Sequence, residues 1–106
     1  MRILLDHCTP APLRYALKEH VVETAYERGW AELVNGELLA AAASNGFDIL
    51  ITTDQSIRHQ QNLARRKLSV VLSTNHWILI RRSAELVVSA VASIEEGEYV
   101  TVDIPE

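Results

Sequence analysis

The run Ile49-Leu50-Ile51-Thr52 constrains this chain more than any other stretch. It is bounded by Gly46 before it and by Asp54-Gln55-Ser56 after it. An apolar run of this length with no polar alternation suits a strand covered on both faces, which predicts a central strand of a parallel sheet over residues 48–53. The N-terminus repeats the plan as Ile3-Leu4-Leu5-Asp6. Two buried strands that each stop at an aspartate bring two carboxylates to one sheet edge if the strands are parallel neighbours. In open α/β sheets that edge is where ligands bind.

The other elements follow by pattern. Residues 2–6 read as strand one, with Thr9 as N-cap and Pro10 in the first turn of a helix that runs to Glu19-His20. Val21–Ala25 is short and alternating, which predicts a strand near a sheet edge. A loop or short turn spans residues 26–34. Asn35 is a good N-cap for a helix carrying Glu37 in its first turn and ending at Asn45-Gly46. A helix over 57–66, a strand over 68–72 and a loop over 73–77 come next. A helix from Ser83 (as N-cap) to Ile94 puts Leu86, Val87, Ala90, Val91 and Ile94 on one face, and an alternating strand closes the pattern at Tyr99–Val102. Strands alternating with helices predict a three-layer α/β/α sandwich with a mostly parallel sheet of about five strands. At 106 residues the expectation is one domain spanning 1–106.

Asp6 and Asp54 gain a third candidate acid in Glu37, with Glu32 competing for that role. Three converging carboxylates do not all ionise cheaply without a cation between them. Oxygen-only ligands suit Mg²⁺ or Mn²⁺ rather than zinc. Such an ion orients a phosphodiester and activates water. Charge distribution supports a phosphate partner: Gln55 to Ala84 holds six basic residues and no acid, although the whole chain is −4. Within it, Arg58, Arg65, Arg66 and Lys67 are the phosphate-contact candidates, and two solvated faces of opposite charge are the plain alternative. The six acids and no bases from Glu85 to Glu106 offer a face for a basic protein segment or for a second copy of the chain.

The series Ile3-Leu4-Leu5-Asp6, a proline-opened helix, Asn35-Gly36-Glu37-Leu38-Leu39, Leu50-Ile51-Thr52-Thr53-Asp54 and Gln60-Gln61-Asn62-Leu63 resembles the PIN-like domain proteins of the DUF5615 type, small bacterial proteins related to PIN-domain toxins. The likeness covers about residues 1–75 and rests on order and spacing. It implies a PIN-like fold, a Mg²⁺- or Mn²⁺-dependent ribonuclease site on Asp6, Glu37 and Asp54, an RNA substrate, a cognate antitoxin protein and a homodimer. The chain departs from that pattern at His7-Cys8, where many relatives place an acid or amide, and at Ser56, where many place a further acid. Fewer acids leave less charge for a second ion. A non-catalytic interaction module with the same shell is therefore the alternative. A phosphoacceptor receiver domain ranks third, with Ser73 or Thr74 as its hydroxyl, because only one aspartate follows strand one and no lysine follows Lys67.

His7, His59 and His76 each follow a strand end and are candidates for proton shuttling, against the commoner role of surface histidines. With one cysteine in the chain, Cys8 reads as a small hydrophobe before a zinc ligand or nucleophile. Trp30 reads as packing, and Trp77, in a polar loop, as the more open of the two for stacking on bases. The lone cysteine, the lack of an apolar run near 18 residues and the very short apolar start predict a cytoplasmic location with no membrane partner.

Overall fold

Parallel pairing organises the whole molecule. The computed structural model describes residues 1–33, 35–53, 68–94 and 99–105. Within these, strands β1 (Arg2–Leu5), β2 (Val21–Thr24), β3 (Ile49–Thr52), β4 (Leu68–Leu72) and β5 (Tyr99–Val102) form one sheet in the order β2-β1-β3-β4-β5. Every neighbouring pair is parallel. The expected central strand is central, and the short alternating strand, β2, lies at an edge.

The pleat divides the apolar residues between two cores. Ile3, Leu5, Ile49, Ile51, Val70 and Leu72 point into one, and Leu4, Leu50 and Val71 point into the other. The first core is covered by a 3-10 helix (Ala11–Leu17), by Ile80 of helix α2 (Trp77–Arg82) and by Val87, Ala90 and Val91 of helix α3 (Ala84–Ser93). The second is covered by Leu38, Leu39 and Ala42 of helix α1 (Asn35–Ser44), together with Phe47. Helical segments thus lie on both sheet faces, which is why β1 and β3 have no polar alternation. β5, at the other edge, buries Val102 and leaves Thr101 exposed.

Several local expectations change. Thr9 does not cap the first helix. Its hydroxyl instead donates to the Ile51 carbonyl at 3.2 Å, and Pro10 takes the N-cap position without a side-chain bond. The segment 11–17 winds as a 3-10 helix and stops before Glu19-His20. Asn35 is the first residue of α1 rather than its cap, and Val34, before it, lies outside the described residues. β3 is shorter than expected by a residue at each end. The loop expected over 73–77 ends in α2, which begins at Trp77. Its six residues are too few to show a helical period in sequence. Ser83 holds the N-cap position of α3 but makes no side-chain cap. Leu86, expected on one face with Val87, Ala90 and Val91, is 40% exposed while those three are buried. The helix expected over 57–66 lies outside the described residues.

The end of α1 follows the expectation from Asn45-Gly46. Phe47 N–H donates to the Ala42 carbonyl at 3.0 Å and Gly46 N–H to Ala43 at 3.4 Å, the paired bonds of a Schellman ending. Gly46 has φ +80°, and a Cβ there would sit 3.0 Å from Arg2 Nη1, the far end of a flexible side chain. Gly46→Ala is therefore expected to cost about 1–2 kcal/mol, almost all from left-handed backbone strain. Gly29→Ala, at φ +76° with open space around it, should cost a similar amount in chemical denaturation. A much larger loss at Gly46 alone would show that Arg2 cannot move aside.

Candidate functional site

The order β2-β1-β3-β4-β5 reverses direction at β1, since the chain leaves β1 for β2 and then returns past it to β3. Crevices at the carboxyl ends of the strands flanking such a reversal are the usual ligand sites of open α/β sheets. Asp6 stands there, one residue beyond β1. Its backbone N–H donates to the Ile51 carbonyl at 2.9 Å, so the residue is locked against β3. Thr9 N–H donates to the Asp6 carbonyl at 2.9 Å and closes a turn with His7 and Cys8 at its crown. The Thr9 hydroxyl pins that turn to Ile51. Three consecutive side chains converge because this turn reverses the backbone beneath them.

The Asp6 side chain is 8% exposed. Its Oδ2 accepts a hydrogen bond of 2.5 Å from the buried Thr52 hydroxyl. His7 Nδ1 lies 2.8 Å from Oδ1, an ion pair when the imidazole is protonated. That contact lacks the geometry of a hydrogen bond, so Oδ1 is buried with no hydrogen-bond donor among the described residues. On its other side the His7 ring places Nε2 3.4 Å from Cys8 Sγ. One ligand atom from each of Asp6, His7 and Cys8 falls within 4.8 Å of the others, so this small group could hold a metal ion. His7 and Cys8 are exposed, and the group opens into a cleft of about 520 Å³.

The opposite wall of the cleft is a self-satisfied polar cluster. Thr24 Oγ1 accepts from Glu27 N–H at 3.0 Å, and Glu27 Oε1 accepts from Thr24 N–H at 2.9 Å, the reciprocal pattern of a capping box. Arg14 donates to both Glu27 oxygens, at 3.0 and 3.2 Å, and to the Val22 carbonyl at 2.8 Å. The arginine hydrogen bond, with the Thr24 backbone bond behind it, holds the Glu27 carboxyl below its ordinary range. Glu27 in turn raises the Arg14 guanidinium. Because the folded-state value of Glu27 is the lower one, its stabilisation is present above the ordinary glutamate range and is lost as pH falls through the folded value. Glu27→Gln should therefore be less stable than the native chain at neutral pH, with the gap closing in acid melts. The pair is exposed, so the gap at neutral pH should be about 1 kcal/mol or less.

Of the three acids expected to converge, the structure places Asp6 as described. Glu37 is exposed in the first turn of α1. That turn lies at the carboxyl edge, because a helix joining parallel β2 to β3 must run back along the sheet. Glu37 is not in the Asp6-His7-Cys8 group and does not line the cleft. Asp54, Ser56, His59 and the phosphate-contact candidates Arg58, Arg65, Arg66 and Lys67 lie outside the described residues. The premise that strands one and three adjoin holds, with Leu5 opposite Ile51.

Trp77 is not an open stacking platform; it packs against the first core. Trp30 packs as expected, edge-on to Phe47 at 6.2 Å. His76 is exposed at the N-cap of α2 and stands beyond β4 rather than beside His7. The Ser73 hydroxyl accepts from Ile104 N–H and that of Thr74 from His76 N–H, so both support local turns. Cys8, expected as a small buried hydrophobe, is exposed, and Arg14, Thr24 and Glu27 were not singled out from the sequence. The spacing Thr24-x-x-Glu27 was the available signal for the last two.

Among the described residues no helix is long and apolar enough to cross a membrane. Compared with protein-family models, curated proteins and solved structures, the chain matches none of them.

Proposed function

We propose that this chain is a PIN-like, metal-dependent endoribonuclease in a three-layer α/β/α shell, working in the cytoplasm as the toxin of a toxin-antitoxin pair with Mg²⁺ or Mn²⁺. The observation that supports the reading best is Asp6. It is a buried carboxylate at the reversal point of a parallel sheet, with one oxygen tied to Thr52 and the other, Oδ1, 2.8 Å from His7 Nδ1 without a hydrogen bond. A desolvated carboxylate oxygen in that state is unfavourable unless a cation neutralises it, either the protonated His7 ring 2.8 Å away or a bound metal ion. A hard oxygen donor of this kind fits Mg²⁺ or Mn²⁺.

In this reading Asp6, Glu37 and Asp54 hold the ion. When bound, the ion neutralises charge on a phosphodiester and makes water a better nucleophile. Thr52 orients the Asp6 carboxylate by its hydrogen bond to Oδ2 and leaves Oδ1 to the ion. Arg58, Arg65, Arg66 and Lys67 bind the flanking phosphates as cations. Arg14 is not assigned that role, because Glu27 pairs its charge and Glu27 and Val22 take three of its five donors.

The alternative, a PIN-like module that binds a partner without cleaving RNA, is favoured by one observation. Glu37 is absent from the residues grouped with Asp6 and from the cleft lining. Calorimetric titration with Mn²⁺ followed by an RNA cleavage assay at saturating Mn²⁺ separates the two. Binding with cleavage, both lost in Asp6→Asn, is the result expected. Binding without cleavage favours the module, and no binding at all overturns the metal reading.

A further inference from the structure

We propose that Asp6, His7 and Cys8 form a three-ligand site for a zinc-class divalent cation, and that Zn²⁺ held there excludes Mg²⁺ or Mn²⁺ from Asp6. The zinc site stands on its own geometry; the exclusion rests on the nuclease reading of Asp6.

Two independent observations carry the site. The first is donor placement: a carboxylate oxygen, an imidazole nitrogen and a thiol sulfur lie within 4.8 Å of one another, with Cys8 Sγ 3.4 Å from His7 Nε2. Ligands about 2.0–2.3 Å from a tetrahedral zinc are themselves separated by roughly 3.3–3.8 Å. The His7 ring, with Nδ1 2.8 Å from Asp6 and Nε2 3.4 Å from Cys8, must turn to present one nitrogen to an ion shared with both. The second is Asp6 Oδ1, buried and without a hydrogen-bond donor among the described residues, whose charge is met only by the His7 ring 2.8 Å away when that ring is protonated, or by a cation in its place.

Donor chemistry then selects the metal. Thiolate and imidazole favour zinc and its neighbours over magnesium, and affinity for such sites rises along the divalent series well past manganese. The turn closed by Thr9 N–H on the Asp6 carbonyl holds the three residues together, and the Thr52 hydroxyl on Oδ2 orients the carboxylate as a second-layer partner. Three protein ligands leave a fourth position open, and here it faces the cleft of about 520 Å³. Zn²⁺ at this position uses the same Asp6 oxygen that a harder ion would need. The departure from the acidic pattern at His7-Cys8 thus becomes a metal-selecting feature.

Co²⁺ is the probe, because cobalt bound to a thiolate absorbs in the near ultraviolet and cobalt bound only to oxygen does not. Native protein is expected to develop that band on titration and to lose it when Zn²⁺ is added. Cys8→Ser should show no such band, and His7→Gln should bind Co²⁺ at least about tenfold more weakly. Both side chains are exposed, so unchanged melting curves are expected to confirm folding. A native protein without the band, or a band that survives Cys8→Ser, overturns the site. For the exclusion, Mn²⁺ calorimetry is repeated with Zn²⁺ saturating. The Mn²⁺ isotherm should vanish in native protein and persist in Cys8→Ser. If Mn²⁺ binds native protein equally with and without Zn²⁺, the exclusion fails and the zinc site stands. If Co²⁺ and Zn²⁺ bind but Mn²⁺ never does, the nuclease reading fails and the zinc site stands.

Discussion

Asp6→Asn is expected to abolish Mn²⁺ binding and to lower RNA cleavage by about 10²–10³-fold. The estimate takes the several kcal/mol that a bound ion contributes to phosphoryl chemistry and converts it at about 1.4 kcal/mol per factor of ten. The substitution tests charge more than structure. Asparagine has the shape of aspartate and keeps an oxygen that accepts the Thr52 hydroxyl, a bond of 2.5 Å in the native chain. The backbone bonds of residue 6, to Ile51 and from Thr9, do not involve the side chain. Stability should therefore change by no more than about 1 kcal/mol, the usual net value of one hydrogen bond. An Asp6→Asn protein that folds and binds Mn²⁺ with native affinity would remove Asp6 from the metal site and with it the main support for a nuclease.

Phe47→Ala is expected to produce the largest stability loss of any single substitution considered, about 3–5 kcal/mol in chemical denaturation. Phe47 is fully buried in the second core. It also joins three separate features. Its N–H closes the Schellman ending of α1, its ring meets Trp30 at 74°, and the guanidinium of Arg2 sits 4.5 Å from its centroid. Arg28 approaches the same ring at 5.5 Å. Alanine keeps the backbone bond and deletes everything else, leaving a void between α1 and the sheet. For a domain of this size the loss corresponds to a fall in Tm of roughly 15–30 °C. Leu86→Ala, where the side chain is 40% exposed, is the matched control and should cost less than about 1 kcal/mol. Similar costs at the two positions would mean that Phe47 does not anchor the second core.

These two residues also show what could be read from the chain alone. Phe47 follows Gly46 and precedes the apolar run, so a helix stop and a buried strand were both legible around it. Asp6 was legible as a strand-end acid, but its special state was not. That state needs Thr52, 46 residues away, to occupy one oxygen, and needs Ile51 to fix the backbone. The helix predictions failed where local signals were ambiguous. Thr9 had the right chemistry for an N-cap, but a carbonyl on β3 captured its hydroxyl. Leu86 had the right spacing for the buried face of α3, yet the neighbouring row of Val87, Ala90 and Val91 meets the sheet.

The sequence by itself determined that β1 and β3 are interior strands, that β2 is an edge strand, and that α1 stops just before Asn45-Gly46. Each of these depends on nearest-neighbour chemistry: unbroken apolar runs require cover on both faces, alternation requires one wet face, and a left-handed φ favours glycine. Only the tertiary structure decided that β1 lies against β3, that a turn gathers Asp6, His7 and Cys8, and that Arg14 is bound by Glu27 rather than open to a phosphate. Those outcomes depend on which distant donors and acceptors meet once strands are ordered. Side-chain period carries no record of strand order, so the carboxylate that matters most was visible in the chain while its buried oxygen without a hydrogen bond was not.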